Sequence, residues 1–217
     1  TATDTLTHSH SAFPGTEVEL EDEVVYENLI VGETYTLKGE LMDRNTGRVI
    51  KDADGEPVTA EKTFTAKTID GTVTINFKFK AGANFRGKTT VVFETITCEG
   101  RDPITHADIT DEAQTIRFPK ISTTAVGSET EEHLVLADED AKIDDTVTYE
   151  NLVVGQKYTL KGVVMDKATG KPLLVNGEEV RAEKTFTPDE NNASEVISFT
   201  FDASDLAGKA LVVFEEL

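Results

Sequence analysis

The groups able to do chemistry in this sequence are few, and one run concentrates them. His106-Ala107-Asp108-Ile109-Thr110-Asp111-Glu112-Ala113-Gln114-Thr115 places an imidazole, carboxylates, a carboxamide and hydroxyls close together. An imidazole can take or give a proton near neutral pH, and a hydroxyl becomes a useful nucleophile once a base removes its proton. Singly, each candidate has a structural explanation. Glu94 and Glu215 end strand-like stretches, where a solvent-facing glutamate is ordinary, and Asp22 and Asp145 fit strand-edge turns. Gln114 alone carries no signal, and an isolated His106 fits a polar surface. Their joint occurrence, in order, around an internal repeat is what marks them. His8-Ser9-His10 sets two imidazoles on one strand face without a third ligand, so no metal is expected there. Cys98, the only cysteine, has no intramolecular partner and no basic neighbours to activate it.

The elements that must position these groups are repeated. Val25-Tyr26-Glu27-Asn28-Leu29 recurs as Thr148-Tyr149-Glu150-Asn151-Leu152, and Tyr35-Thr36-Leu37-Lys38-Gly39 recurs as Tyr158-Thr159-Leu160-Lys161-Gly162, both at an offset of 123 (149 − 26 and 158 − 35). Val91-Val92-Phe93-Glu94 recurs as Val212-Val213-Phe214-Glu215. Two copies of one domain follow. Within each copy the period is two. Thr72 to Phe79 alternates polar and apolar, which predicts Val73, Ile75, Phe77 and Phe79 on one buried sheet face, with Ile197, Phe199 and Phe201 as counterparts. Asn45-Thr46-Gly47, Ala168-Thr169-Gly170, Asp54-Gly55 and Asn176-Gly177 read as turns. Short strands separated by turns give an all-β fold: two tandem immunoglobulin-like β-sandwich domains. The expected limits are 1–119, complete, and 120–217, a second copy truncated before its final strand. The junction at Arg117-Phe118-Pro119-Lys120-Ile121 has no Gly/Ser tether, which predicts a semi-rigid rod.

Composition narrows the partners. The chain has 41 acidic against 21 basic residues, a formal charge of −20. Such a surface repels phosphate backbones, so nucleic acid is not an expected partner. No apolar run is long enough to cross a bilayer, and no membrane contact is expected of this segment. The sequence opens on Thr1 without a signal-like stretch and reads as a piece of something longer.

At these motifs the chain resembles the repeat domains of Gram-positive surface adhesins that carry an internal Thr–Gln ester cross-link. The "VaFE" motif of those repeats is similar to Val92-Phe93-Glu94 and Val213-Phe214-Glu215. Their final strand resembles His106 through Thr115, and their opening "T-T-A" resembles Ser122-Thr123-Thr124-Ala125, of which Thr1-Ala2 is the matching part in the first copy. The resemblance implies that Thr1 attacks the side-chain amide of Gln114 and expels ammonia. Thr3 lies two residues on along the same strand face, but the offset of 123 pairs Thr1 with Thr124. His106 would be the base, and Asp22 and Glu94 an acid pair sharing a proton. In the second copy Thr124, Asp145 and Glu215 keep register, with counterparts of His106 and Gln114 missing. That site is therefore expected to be incomplete, and able to accept a complementary strand in trans.

The implied role is a stalk segment, monomeric, outside the cell and wall-anchored through regions beyond this sequence. It needs no cofactor, has neighbouring stalk domains as partners, and performs one self-linking event without turnover. Two other readings compete. A ligand-gripping module would need exposed loop aromatics, for which Phe13 and Phe85 are the candidates. An isopeptide-linked pilin domain would need a first-strand lysine, and none precedes Lys38.

Overall fold

The computed structural model describes residues 1–15 and 17–217. They divide into two compact units, Thr1–Lys120 and Ile121–Leu217. Unit 1 holds β1 (Ala2–Asp4), β2 (Glu17–Tyr26), β3 (Thr34–Asp43), β4 (Arg48–Val49), β5 (Thr59–Thr65), β6 (Gly71–Lys80), β7 (Thr89–Thr97), β8 (Ile104–His106) and β9 (Thr115–Arg117). One sheet has the order β1-β2-β6. In the other, β3 is flanked by β5 and β4 on one side and β7 on the other, and the far edge of β7 carries β8 and then β9.

Alternation builds the core as the sequence predicts. Val73, Ile75, Phe77 and Phe79 of β6 are buried, and they join Leu20 of β2 and Leu37, Leu41, Val92 and Ile96 of the opposite sheet. The two sheets approach closely at Gly39, where an added Cβ would stand 2.5 Å from the Phe77 ring. Phe85 belongs to this core, fully buried and 4.8 Å from the ring of Phe118 between centroids. It is therefore no exposed loop aromatic, which removes one of the two residues that a ligand-gripping module would use.

β10 (Lys120–Gly127) opens unit 2, followed by β11 (Ala141–Glu150), β12 (Tyr158–Asp166), β13 (Lys171–Pro172), β14 (Leu174–Val175), β15 (Glu178–Glu179), β16 (Arg181–Phe186), β17 (Ala193–Phe201) and β18 (Leu211–Glu216). The order β10-β11-β17 repeats β1-β2-β6, while β12 pairs with β13 and β16 on one edge and β18 on the other. Ile197, Phe199 and Phe201 are buried, and Gly162 meets the Phe199 ring as Gly39 meets Phe77. Among the described residues of unit 2, no strand corresponds to β8 or β9.

The recurring Tyr-Glu-Asn-Leu has a backbone cause. Asn28 and Asn151 both adopt positive φ, 60° and 62°, a conformation asparagine tolerates better than most residues. Each amide is held by a side chain from across the sheet, Asp70 at 2.9 Å and Asn192 at 2.8 Å. The Asn176-Gly177 turn has positive φ at both positions, as a tight hairpin requires.

Candidate functional site

In unit 1 the site is built where the two sheets meet at an edge. Asp22 comes from the middle of β2 and lies opposite Ala2, so both side chains point inward, and both are fully buried. Glu94 comes from β7, opposite Gly39 on one side and His106 on the other. Gln114, also buried, sits in a 3-10 turn at Glu112–Gln114 just before β9. Asp22, Glu94, His106 and Gln114 are separated by up to 92 positions in sequence (114 − 22); His106 pairs opposite Glu94, Asp22 comes from the facing sheet, and Gln114 from the turn before β9.

The electrostatics are those of two acids forced together. Burial, and then contact with Asp22, push the Glu94 carboxyl up to about 9 from an ordinary 4.5, and the nearby Thr1 ammonium works in the opposite direction. A carboxyl in contact with a carboxylate must hold a proton, since two bare acceptors repel. The proton on Glu94 bonds it to Asp22, while Gln114 Oε1 is buried without a hydrogen-bond partner. A buried oxygen left without a partner is costly.

His106 is held between two acids. Its Nδ1 lies 3.0 Å from Glu94 Oε2 and its Nε2 3.4 Å from Asp111 Oδ2. Asp111 was not singled out among the site candidates in the sequence, yet it organises this end of the site. Its Oδ1 accepts from Ala113 N at 2.8 Å, capping the turn that carries Gln114, and its carbonyl accepts from Thr115 Oγ1 at 2.7 Å. The signal available was its spacing three residues before Gln114, the position of a cap.

Thr1 departs from expectation. Opposite residues in a strand pair share a face and neighbours alternate, so with Ala2 directed at Asp22, Thr1 and Thr3 face away. The Thr1 side chain is 61% exposed, and it is the α-ammonium that reaches Asp22 Oδ1, at 3.1 Å. Unit 2 shows what belongs there. Ser128 N donates to Lys142 O, as Thr5 N donates to Glu19 O, so β10 keeps the register of β1. Thr124 then matches Thr1 and also faces away. Thr123 instead donates its hydroxyl to Glu215, whose carboxyl is pushed up to about 8 by burial and by Asp145. The hydroxyl expected at Thr124 is thus supplied by Thr123, and its counterpart in unit 1 is the position one before Thr1. Within the described residues, unit 1 holds acids, imidazole and carboxamide, and unit 2 holds acids and hydroxyl.

Among the described residues no group of acids, histidines and cysteines could hold a metal, and His8 and His10 gain no third ligand. No helix is long and apolar enough to cross a membrane.

Among solved structures, the chain is similar to a bacterial adhesin from Mobiluncus mulieris containing intramolecular disulfide, isopeptide and ester bond cross-links, at 12% identity, covering 99% of this chain and 78% of that one, with a TM-score of 0.48. A second crystal form of that adhesin gives the same identity and coverage with a TM-score of 0.46. Scores below one half are likenesses only. No curated protein matches. The sequence match to a family is what decides: the T-Q ester bond containing domain family matches residues 1–118 and again 119–217, and the chain belongs to that family in two tandem copies.

Proposed function

We propose that this chain is a load-bearing segment of a cell-surface adhesin stalk, whose repeats are closed by an ester between a first-strand threonine and a last-strand glutamine. The observation that carries the reading is the buried carboxyl pair, Asp22–Glu94 and Asp145–Glu215, with a buried carboxamide in one unit and a threonine hydroxyl bonded to the pair in the other. In a complete site the threonine oxygen attacks the glutamine carbonyl carbon. A C–O bond forms, the C–N bond breaks, and ammonia leaves carrying the hydroxyl proton. The His106 imidazole relays that proton, and the protonated member of the acid pair donates to the amide oxygen as negative charge develops there. The reaction consumes its own groups, so it runs once and needs no cofactor.

The bond would join β1 to the turn before β9 and close nearly all of unit 1 into a loop. Tension entering one end would pass to the other through covalent bonds rather than through the strand ladder. If the relation for disulfides transfers, the lost unfolded-state entropy contributes roughly 4–5 kcal/mol, beside a typical domain stability of about 5–15 kcal/mol. An extracellular, wall-anchored, monomeric stalk flanked by like domains is the setting in which such a brace is useful.

Extending the chain by Ile-Ser-Thr ahead of Thr1 supplies unit 1 with the hydroxyl that Thr123 supplies to unit 2. The intact mass of that form should fall about 17 Da below the sum of its residues, through loss of one ammonia. An Ile-Ser-Ala extension, or Gln114→Ala, should keep the full mass. An unreduced mass for the Ile-Ser-Thr form sinks the ester reading.

A further inference from the structure

The carbonyl oxygen of the Gln114 side chain makes no hydrogen bond, so it does not help to fix the carbon beside it. The place of that carbon depends on the backbone turn at Glu112–Gln114, where Thr115 N donates to Glu112 O and Asp111 caps the other end. The same turn carries a carboxylate that two guanidiniums grip from outside. Arg44 Nη1 donates to Glu112 Oε1 at 2.8 Å, and Arg117 Nη2 donates to Glu112 Oε2. Each arginine takes one oxygen, so the carboxylate cannot pivot about either bond. These bonds, that from Arg44 first, hold the Glu112 carboxyl below its ordinary range.

The two arginines come from strands on opposite sides of β7. Arg44 follows β3, and its amide donates to Thr89 O at 3.0 Å. Arg117 ends β9 and lies opposite Thr89 from the other side. Ile116 is buried in the core, so Arg117, its neighbour, emerges on the outer face of the sheet. The bridge through Glu112 therefore spans the width of β7, from the exit of β3 to the turn before β9. Val91, which alternation with the core residue Val92 directs to that outer face, is fully buried. The arginine side chains are 30% and 24% exposed, and that of Glu112 is 60% exposed. A single pair so exposed adds little stability. What this one does is geometric, because three segments are fastened at one carboxylate.

We propose that Glu112, gripped by Arg44 and Arg117, is a positioning residue for ester formation: it straps the turn across β7 and so sets where the Gln114 carbonyl carbon stands when the threonine oxygen arrives. It touches no reacting atom. This role rests on the ester reading above, whereas the fastening of the turn can be measured without it. Attack on an amide tolerates little error in placement, and a shift of about 1 Å costs a rate on the order of a hundredfold. Arginine matters here for its planar fork, since a lysine makes one point of contact and leaves the carboxylate free to swing.

The test compares Glu112→Gln and Arg44→Lys with the parent in two measurements. In the 217-residue protein, hydrogen exchange at the Ala113 and Thr115 amides should quicken several-fold in both variants, while exchange in β2 and β6 and the melting temperature of unit 1 stay close to the parent's. The second measurement uses the chain extended by Ile-Ser-Thr, refolded from denaturant so that folding starts the reaction. There the loss of about 17 Da should be at least about tenfold slower in the variants than in the parent. Salt at about 1 M should slow the parent and leave Glu112→Gln unmoved, a response that lost stability alone does not give. Equal exchange in parent and Glu112→Gln overturns the fastening and the proposal with it. Quickened exchange with an unchanged rate of ammonia loss overturns the positioning role and leaves the ester reading standing. An extended parent that keeps its full mass overturns the ester reading and this role together, and is told apart from the other failures by that mass.

Discussion

The two units share a scaffold and differ in what completes it. In unit 1 the outer edge of β7 is covered by β8 and β9, and the residue at the centre of that edge, Val91, is fully buried. In unit 2 the matching edge of β18 has no such cover among the described residues, and Val212 is partly exposed. The acid pair survives this difference, since Asp22 and Asp145 are both fully buried and Glu94 and Glu215 are both pushed far above the ordinary carboxyl range. The pair therefore depends on the four central strands, β2, β3, β6 and β7 or their repeats, and not on the strand that brings the glutamine.

The sharpest break in this comparison is a charge on the edge. Val91→Asp buries an unpaired carboxylate and should cost unit 1 about 3 kcal/mol or more, whereas Val212→Asp should leave unit 2 nearly as stable as before. Two calorimetric transitions assigned by unit would show one falling and one unmoved. Equal losses would mean that the exposed edge of β18 is covered in solution.

A graded effect comes from titration. A carboxyl whose folded value is raised to about 9 favours the native state below its unfolded value near 4.5, and that contribution is lost as pH rises from there through about 9. Glu94→Gln should flatten the fall in unit 1's melting temperature across this window, and Glu215→Gln should do so for unit 2 across a window ending near 8. Unchanged slopes would show that the pairs are not coupled.

The smallest effect tests what the units share. Tyr35 and Tyr158 are buried, and each accepts a loop amide at 3.0 Å, from Ile30 and Val153. Removing either hydroxyl with phenylalanine should cost its own unit about 1 kcal/mol, equally in both. Unequal costs would mean that the repeat is less faithful than its sequence.

Much was legible without coordinates because it depends on local alternation and on repetition. Period-two patterning placed Phe77 and Phe199 inside, the offset of 123 aligned the copies, and glycine-bearing dipeptides marked turns that do take positive φ. The site residues Asp22, Glu94, His106 and Gln114 were also named from motifs, and of these strand pairing sets His106 opposite Glu94. Phe85 was misplaced because an aromatic in a short polar stretch looks exposed until the sheets close over it.

The sequence by itself determined the strands, the two copies and the residue types of the candidate sites, since side-chain chemistry and hydrophobic period are properties of the chain. Which threonine meets the acids was decided only by tertiary structure. Thr123 and Thr124 are chemically identical, and a one-residue step along a strand reverses the direction of the side chain. Only the pairing of β10 with β11, and of β1 with β2, fixes which hydroxyl turns inward. That Asp111 steadies both His106 and the turn holding Gln114 was likewise set by packing, because the contact closes only when β8 lies against β7.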